Sequence, residues 1–408
     1  MLNSPSTAIA SPMYEYILTV LREDLGTKVS RRQRSAAKFD LDQSKGPLYP
    51  QINLRGQSGV ATSGEASSTN NNFGLFLNQV IFDKGKSSYV SVSKALLNEK
   101  EYAIKINQEQ VVLEAGLLFL NYIEALKREK ISKEHTLRSF GQRKIVKDQL
   151  AGGRATQIDL QNVEISIKSQ QLSQLNFKSA RKLAALALSQ RARNRAKLPN
   201  SELIPRFSFA FDAMNLQEAK KFLGNKPDIS LISARIKSLE TQIDYSKAKS
   251  FPIIGFEASL ETSGLKASEN IASLKLSASW NLYDGGTQRS EYSGLLEQKK
   301  GLSLSYRQLN ESYYSKYLES LGQYQSSMTS LQLSKELKLH YKEFLTQKTL
   351  QYRGGLVTIE DVLDAQTRLF EVEQQLVGAE IAMTKAAWQV LGHLGVLQPA
   401  DLKDIFSK

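Results

Sequence analysis

Two acidic residues late in the chain, Asp361 and Asp364, are the residues whose type and spacing point most clearly to chemistry. They lie three positions apart in a segment with helical periodicity, so both carboxylates belong to one face of a helix. If several copies of the chain surround one axis, the repeated pair makes a ring of negative charge. Rings of this kind select cations and hold cationic blockers. The spacing alone therefore predicts a paired acidic site on one helix face.

Residue patterns for catalysis or metal binding are weak. The three histidines, His135, His340 and His393, lie far apart, and none begins a metal-ligand motif. We expect each of them on a helix surface. No glycine-rich phosphate loop or nucleophile elbow is present, and the absence of cysteine excludes disulfides, thiolate metal sites and cysteine nucleophiles. We therefore predict no enzyme activity, no catalytic residue, no cofactor and no metal.

Composition narrows the class of protein further. The chain has 408 residues, which favours two or three domains, and a net charge of +13. The basic residues are spread along the chain, which indicates a solvated surface rather than a nucleic-acid interface. No apolar stretch reaches the roughly 18 residues of a membrane helix. The first residues, Met-Leu-Asn-Ser-Pro, do not form a recognisable secretory signal.

An internal duplication organises the chain. Four landmarks recur in the same order at a spacing of about 202 residues. We predict two structural repeats, residues 1–200 and 201–408, each with a helix, a strand pair, a long helix and a return helix. The matched segments are 42–45 with 244–247, 49–52 with 251–254, 82–85 with 283–286, and 152–160 with 354–362.

The helical segments are unusually long. No proline occurs from Lys86 to Leu150, and the stretch from Thr287 to Tyr352 is equally long, so each predicted helix spans on the order of 100 Å. In the last helix, apolar residues from Val362 to Val390 alternate at spacings of three and four. This heptad pattern is typical of coiled-coil packing.

The strand segments alternate at period two around residues 73–82, 254–260 and 274–282. Each covers about 10 residues, the length of a tilted membrane-spanning strand. We expect residues 61–72 and 262–270 to be polar connecting loops. The two predicted strand pairs give four strands in each chain. Four strands cannot close into a barrel, and open strand edges are not tolerated in lipid, so several chains must share one barrel.

Each long helix is expected to end at a Gly-Gly pair that supplies positive φ. A threonine then caps the next helix, and an aspartate three positions later completes a capping box. Capping explains the threonines and the first aspartates, but it does not explain Asp364. The residues concerned are Gly152, Gly153, Thr156 and Asp159 in the first repeat and Gly354, Gly355, Thr358 and Asp361 in the second.

Across residues 12–397 the chain resembles the TolC-like outer-membrane efflux proteins. The most specific match is the segment from Tyr352 to Ala365, supported by Pro50, Pro252 and two Asp-x-Gly turns. The resemblance implies an α+β fold with four strands per protomer, a shared twelve-stranded β-barrel in a homotrimer, and a long α-helical coiled-coil barrel continuing it. It also implies an outer-membrane location in a Gram-negative bacterium, with the helical part in the periplasm.

The resemblance also assigns roles to residues. Asp361 and Asp364 match the family's acidic pore entrance ring, and Tyr352 and Asp159 match its closed-state gate. The family's gate arginine falls at Val357 here, and Arg154 or Arg353 is the candidate replacement. The hairpin tips that contact the adaptor match Gly152, Gly153, Gly354, Gly355 and Leu356. Residues 197–228, which fit neither rods nor strands, match a band around the family's helical barrel.

These features give an ordered set of functional hypotheses. The first is an exit duct for type I protein secretion, which works with a periplasmic adaptor and an inner-membrane ABC exporter or proton-driven pump. The alternative in the same class is a multidrug efflux channel, which the lack of a cysteine for lipid anchoring makes the weaker choice. The alternative of another class is a soluble coiled-coil scaffold, which the four strand segments disfavour.

Overall fold

The computed structural model describes residues 11–63, 66–199, 202–205, 207–208, 214, 216–263 and 270–406. Long helices and one four-stranded sheet account for most of this chain. The helices are α1 (Pro12–Glu23), α2 (Leu25–Lys45), α3 (Lys84–Ala151), α4 (Gln157–Arg191), α5 (Leu216–Gly224), α6 (Pro227–Ala248), α7 (Thr287–Arg353), α8 (Ile359–Leu394) and α9 (Leu402–Phe406). The strands are β1 (Gln51–Ser63), β2 (Ala66–Phe82), β3 (Ile253–Ser263) and β4 (Asn270–Ser279).

The chain divides into two compact units. The helical unit comprises Met1–Thr27, Ile106–Lys226 and Glu311–Lys408, and the strand-containing unit comprises Lys28–Lys105 and Pro227–Asn310. Both units draw on residues before and after position 200. The division into repeats at residues 1–200 and 201–408 therefore concerns the order of elements along the chain, and it stays a prediction.

The two longest helices match the predicted rods. Helix α3 has 68 residues and α7 has 67, so each spans about 100 Å. Each begins at an aspartate that accepts backbone N–H groups of the first turn, because helix starts leave four such donors without a partner. Asp83 accepts from the backbone of Lys86 at 2.9 Å, and Asp284 accepts from the backbone of Gln288 at 2.8 Å.

The strand-containing unit holds an antiparallel sheet in the order β1-β2-β3-β4. The predicted loop at residues 61–72 is wrong for most of its length, since β1 pairs with β2 up to Ser63 opposite Ala66. Backbone pairing needs no apolar side chains, so a run rich in Ser, Thr and Asn can continue a hairpin. Strand β3 reaches Ser263 and β4 starts at Asn270, and the predicted loop between them lies mostly outside the described residues. Strand β4 ends at Ser279, before the predicted end at residue 282.

Residues paired in register share one face of a sheet, and here the two faces differ in polarity. The apolar face is exposed, as Ile52, Leu54 and Leu274 show with 70%, 78% and 76% of their surface accessible. Its apolar members include Ile52, Leu54, Phe73, Leu75, Leu77, Phe256, Ala258, Leu260, Ala272, Leu274 and Leu276, and Gln79 and Thr262 share this face. The polar face carries Gln51, Asn53, Arg55, Asn78, Glu257, Ser259, Glu261, Ser273 and Lys275, together with the apolar Phe76, Val80, Ile253 and Ile271.

The helical unit contains two apolar clusters. The larger one surrounds the fully buried Trp388 and Phe119, and the smaller one includes Val146, Val163 and Val362 near the helix reversals. The predicted heptad residues of α8 are largely buried, which confirms their role in packing. Among the helices in the described part of the chain, none is both long and apolar enough to cross a membrane.

Candidate pore entrance and gate

Both helix reversals are Schellman turns, the hydrogen-bonded helix endings that place a left-handed residue after the last turn. In the second reversal, the N–H of Leu356 donates to the carbonyl of Gln351 at 2.9 Å and the N–H of Gly355 donates to that of Tyr352 at 3.0 Å. The first reversal repeats this pattern from Arg154 to Gln149 at 2.8 Å.

Only the second glycine of each pair needs the left-handed conformation. Gly153 has φ of 70° and Gly355 has φ of 76°. Gly152 and Gly354 do not share it, and a β-carbon on either would meet backbone oxygens no closer than 3.4 Å. The prediction that each pair supplies positive φ therefore holds for one residue of the two.

The two predicted capping boxes are both present. At α4 the N–H of Thr156 donates to the Asp159 carboxylate at 2.7 Å, and the N–H of Asp159 donates back to the threonine hydroxyl at 3.1 Å. At α8 the same exchange joins Thr358 and Asp361 at 3.0 and 3.3 Å. These bonds satisfy donors that the helix start leaves unpaired.

Asp361 is therefore both a cap and a charged surface group. The hydroxyl and backbone N–H of Thr358 hold the pKa of its carboxyl below the usual range, and Lys348 lowers this pKa further. The ammonium of Lys348 lies 3.6 Å from the carboxylate. Asp361 is accordingly ionised over the whole physiological range.

Asp364 lies one turn farther along α8 and is exposed. Its carboxylate accepts a hydrogen bond of 2.8 Å from Nε of Arg368, which is four residues away on the same helix. Each predicted ring carboxylate thus has a cation beside it in the same chain. Exposed pairs of this kind are weak and leave most of the field in water, but they reduce the net negative charge that a ring would present.

A groove beside Asp364 was not anticipated from the sequence. It has a volume of about 560 Å³ and is bordered by the aromatic rings of Tyr341 and Phe344. Arg368 also lies on it, so the acidic ring position belongs to a mixed surface. The periodicity of α7 placed these aromatic residues on a helix but gave no sign that they would line a groove. Its remaining lining residues are His340, Glu343 and Gln347.

Two of the three predicted gate residues come together. Tyr352 is buried, and within the described residues its hydroxyl has no hydrogen-bond partner. Burial raises the pKa of Tyr352, and the nearby carboxylate of Asp159 raises it further. The side chain of Arg154 is exposed, and the described part of the chain provides it with no hydrogen-bond or ion-pair partner. The gate assignment stays a prediction.

Gln149 was missed by sequence reasoning and connects the two reversals. Its side-chain amide donates to the carbonyl of Arg353 at 3.3 Å and to that of Tyr352 at 3.5 Å. A second connection joins Asn162 of α4 to Glu360 of α8 at 3.0 Å. Because glutamine and asparagine are common on helices, no motif marks such bonds in advance. Leu356, in contrast, points outward with 79% of its surface exposed.

The surface position expected for the histidines is wrong for His135, which is 4% exposed and stacks on Phe370 at 4.3 Å. Burial lowers the pKa of His135 to about 4, and Arg138 contributes to the lowering. The pKa of His393 is also lowered to about 4, chiefly by burial. His340 is exposed as expected. Over the described residues, no group of acidic or histidine side chains could hold a metal ion.

Comparison with known proteins shows which family this chain resembles. The sequence profile described as "Outer membrane efflux protein" matches residues 219–396. Outer membrane protein TolC of Escherichia coli strain K12 is 22% identical over 398 residues, which are 91% of this chain and 80% of TolC. The chain is therefore similar to the outer membrane efflux proteins.

Solved outer-membrane channels share the fold of this chain. The structure of CusC, described with its transmembrane channel formation, has a TM-score of 0.85 at 16% identity, over 97% of this chain and 95% of that chain. The open-state outer membrane channel MtrE of Neisseria gonorrhoeae has a TM-score of 0.77 at 16% identity, over 98% and 92%. The predicted combination of a strand set with long coiled-coil helices is confirmed.

These similarities also indicate the broad class of activity. The protein is an outer-membrane transport channel for efflux or secretion, and it is not an enzyme. The soluble coiled-coil scaffold considered as an alternative is not supported by these similarities. The helical part belongs to the periplasmic side, in keeping with the family.

Proposed function

We propose that three copies of this chain form an exit duct through the outer membrane, which receives cargo from a periplasmic adaptor and an inner-membrane transporter. The sheet carries the proposal. Its apolar face is exposed along all four strands, while its other face is polar. A sheet with one lipid-like face and one water-like face suits a barrel wall with an aqueous lumen.

The sheet edges support sharing of the barrel. Strand β1 pairs only with β2 and β4 pairs only with β3 among the described strands. Unpaired backbone groups are costly in lipid, so the edges need partners from other chains. Three chains with four strands each give a closed ring of twelve, and rotational symmetry then makes every junction the same β4-to-β1 contact.

Unpartnered helix faces support the same assembly. On α4, Ile158, Ile165 and Leu172 repeat every seven residues and are each about two-thirds exposed. On α7, Leu339 and Leu350 are exposed to a similar degree. Heptad-spaced apolar residues pack into facing helices, and a neighbouring copy supplies such helices when the ring closes.

The helix reversals have features of a surface on which another protein docks. Leu356 is a large apolar side chain presented outward at a turn that two Schellman bonds hold rigid. Exposed apolar anchors on rigid turns are typical of protein interfaces. We assign the tips at Gly152, Gly153, Gly354, Gly355 and Leu356 to the adaptor, and Asp361 and Asp364 to the entrance of the duct.

The cargo has two candidates. We carry forward type I protein secretion with an ABC exporter as the first. Multidrug efflux with a proton-driven pump is the second, favoured by the efflux description of the matching family profile.

A deletion strain separates the two cargo classes. Loss of one secreted protein from the medium, with unchanged drug tolerance, supports secretion. A fall in drug tolerance with an unchanged medium supports efflux. If neither changes, and purified protein gives no conductance in a planar bilayer, the duct proposal fails.

A further inference from the structure

The charged residues of the sheet are few and all lie on one face. The four strands contain four of them, Arg55, Glu257, Glu261 and Lys275. The strand register places every one on the polar face, two with each sign. Because the wall carries equal numbers of positive and negative side chains, its net charge favours neither anions nor cations. The placement of these side chains therefore decides the local electric field.

Arg55 and Glu261 face each other across a glycine. In the register, Gly74 pairs with Arg55 on one side and with Glu261 on the other. A β-carbon on Gly74 would lie 2.8 Å from the Phe76 ring and 2.9 Å from Cγ of Glu261. The glycine therefore leaves room for the aromatic ring and the acidic side chain to lie across the strand.

Separate contacts hold the two charges. The guanidinium of Arg55 lies over the Phe76 ring, 4.7 Å from its centroid, in a cation–π contact. The carboxylate of Glu261 accepts a hydrogen bond of 3.0 Å from the hydroxyl of Ser259. No ion pair joins Arg55 to Glu261 in the described sheet, so each charge keeps its own field at the surface.

The second pair of charges is different. Glu257 and Lys275 are register partners on adjacent strands, and their charged atoms lie 3.9 Å apart. Opposite charges this close cancel most of each other's field at a distance. Glu257 and Lys275 thus act as a dipole, whereas Arg55 and Glu261 act as separate charges.

We propose that Arg55 and Glu261 form a charge-compensated filter on the lumenal wall. Arg55 favours the passage of anions through the duct, and Glu261 favours the passage of cations. The proposal rests on the duct proposed above. Its ligands are small inorganic ions and the charged groups of the cargo. Ring symmetry would repeat the pair three times around the lumen.

The test uses reversal potentials of the full-length protein in planar bilayers under a potassium chloride gradient. Glu261→Gln should raise the permeability ratio of chloride to potassium, and Arg55→Gln should lower it. Each change should be about two- to fivefold, the size expected for exposed charges acting through water, and should shrink in high salt. Glu257→Gln with Lys275→Gln together is the matched control and should leave the ratio unchanged.

Chemical modification of the assembled pore changes the charge at residue 55 after folding is complete. Because the chain has no cysteine, Arg55→Cys gives each chain a single thiol, and an assembled trimeric pore carries three. A quaternary-ammonium thiol reagent should raise the chloride preference during recording, and a sulfonate reagent should lower it. Leu54→Cys, on the apolar face, should not respond.

The outcomes separate the two proposals. Absence of conductance from the unmodified protein overturns the duct and the filter together. A normal pore whose ion preference is unchanged by either substitution, or shifts with the same sign in both, overturns the filter alone. Opposite shifts with a silent control pair support it.

Discussion

The indole ring of Trp388 occupies the space above the α-carbon of Gly116, and its Nε1 donates a hydrogen bond of 3.1 Å to the carbonyl of Leu113. A β-carbon on Gly116 would overlap the indole and would lie 2.8 Å from the end of the Met13 side chain. Helices α3 and α8 can approach this closely only because residue 116 has no side chain. Trp388 is fully buried there and anchors the larger apolar cluster.

Gly116→Ala should destabilise the protein by about 1–3 kcal/mol, because an added methyl in a close-packed site forces neighbours to move. Gly141→Ala, on the same helix but with no atom within 4 Å of the new methyl, is the matched control. It should be neutral or stabilising by up to about 1 kcal/mol, since alanine favours helix. Thermal unfolding of the detergent-solubilised protein distinguishes them, and equal effects would contradict the packing account.

The two glycines of the second reversal should differ in their tolerance of alanine. Gly355→Ala places a side chain at φ of 76° and should cost about 1 kcal/mol or more, loosening the reversal. Gly354→Ala should cost less because its backbone does not need glycine. Amide hydrogen exchange over residues 346–365 reports the local effect. Faster exchange in the Gly354 variant than in the Gly355 variant would reverse the assignment.

The entrance ring predicts opposite changes in cation selectivity for two kinds of substitution. Asp361→Ala combined with Asp364→Ala should lower the cation selectivity of the reconstituted pore, because the ring carboxylates are lost. Arg368→Gln should raise it, since this substitution removes the cation that lies 2.8 Å from Asp364. Reversal potentials measure both variants. Unchanged selectivity in the double alanine variant would disprove the ring.

Stability should fall in mild acid partly through His135. Its pKa is about 4 in the folded chain and 6.5 as the ordinary value, so the unfolded state binds more protons between these limits. His135 does not reduce the free energy of unfolding above pH 6.5, and it lowers this free energy progressively as pH falls towards about 4. His393 adds to the same window.

His135→Gln should therefore flatten the dependence of the melting temperature on pH in this window. His340→Gln, which changes an exposed histidine, serves as the control and should retain the wild-type slope. A His135 variant with the wild-type slope would show that this buried histidine does not account for any of the acid sensitivity.

Long-range periodicity explains why much of the fold could be predicted from the sequence. The boundaries of α3 and α7 follow from the absence of proline and from the aspartates and glycines that start and end each helix. The capping boxes at Thr156 and Thr358 follow from local spacing alone. Local rules apply because these bonds connect residues only three positions apart.

Contacts between distant segments could not be predicted in this way. The burial of His135 depends on Phe370 across a helix pair, and the approach at Gly116 depends on Trp388. The cations beside Asp361 and Asp364 come from ordinary helix positions without a motif. Strand ends in polar sequence were also missed, because backbone pairing extends β1 and β2 where no alternation of apolar residues marks them.

The duct requires that several chains share one membrane-spanning barrel. The mass of the protein extracted from the membrane fraction in mild detergent, measured by light scattering with the detergent subtracted, tests it most directly. A shared barrel predicts a stable particle of three 45.6 kDa chains found only in that fraction. A monomer or dimer that stays in solution without detergent would contradict the shared barrel and the duct built on it.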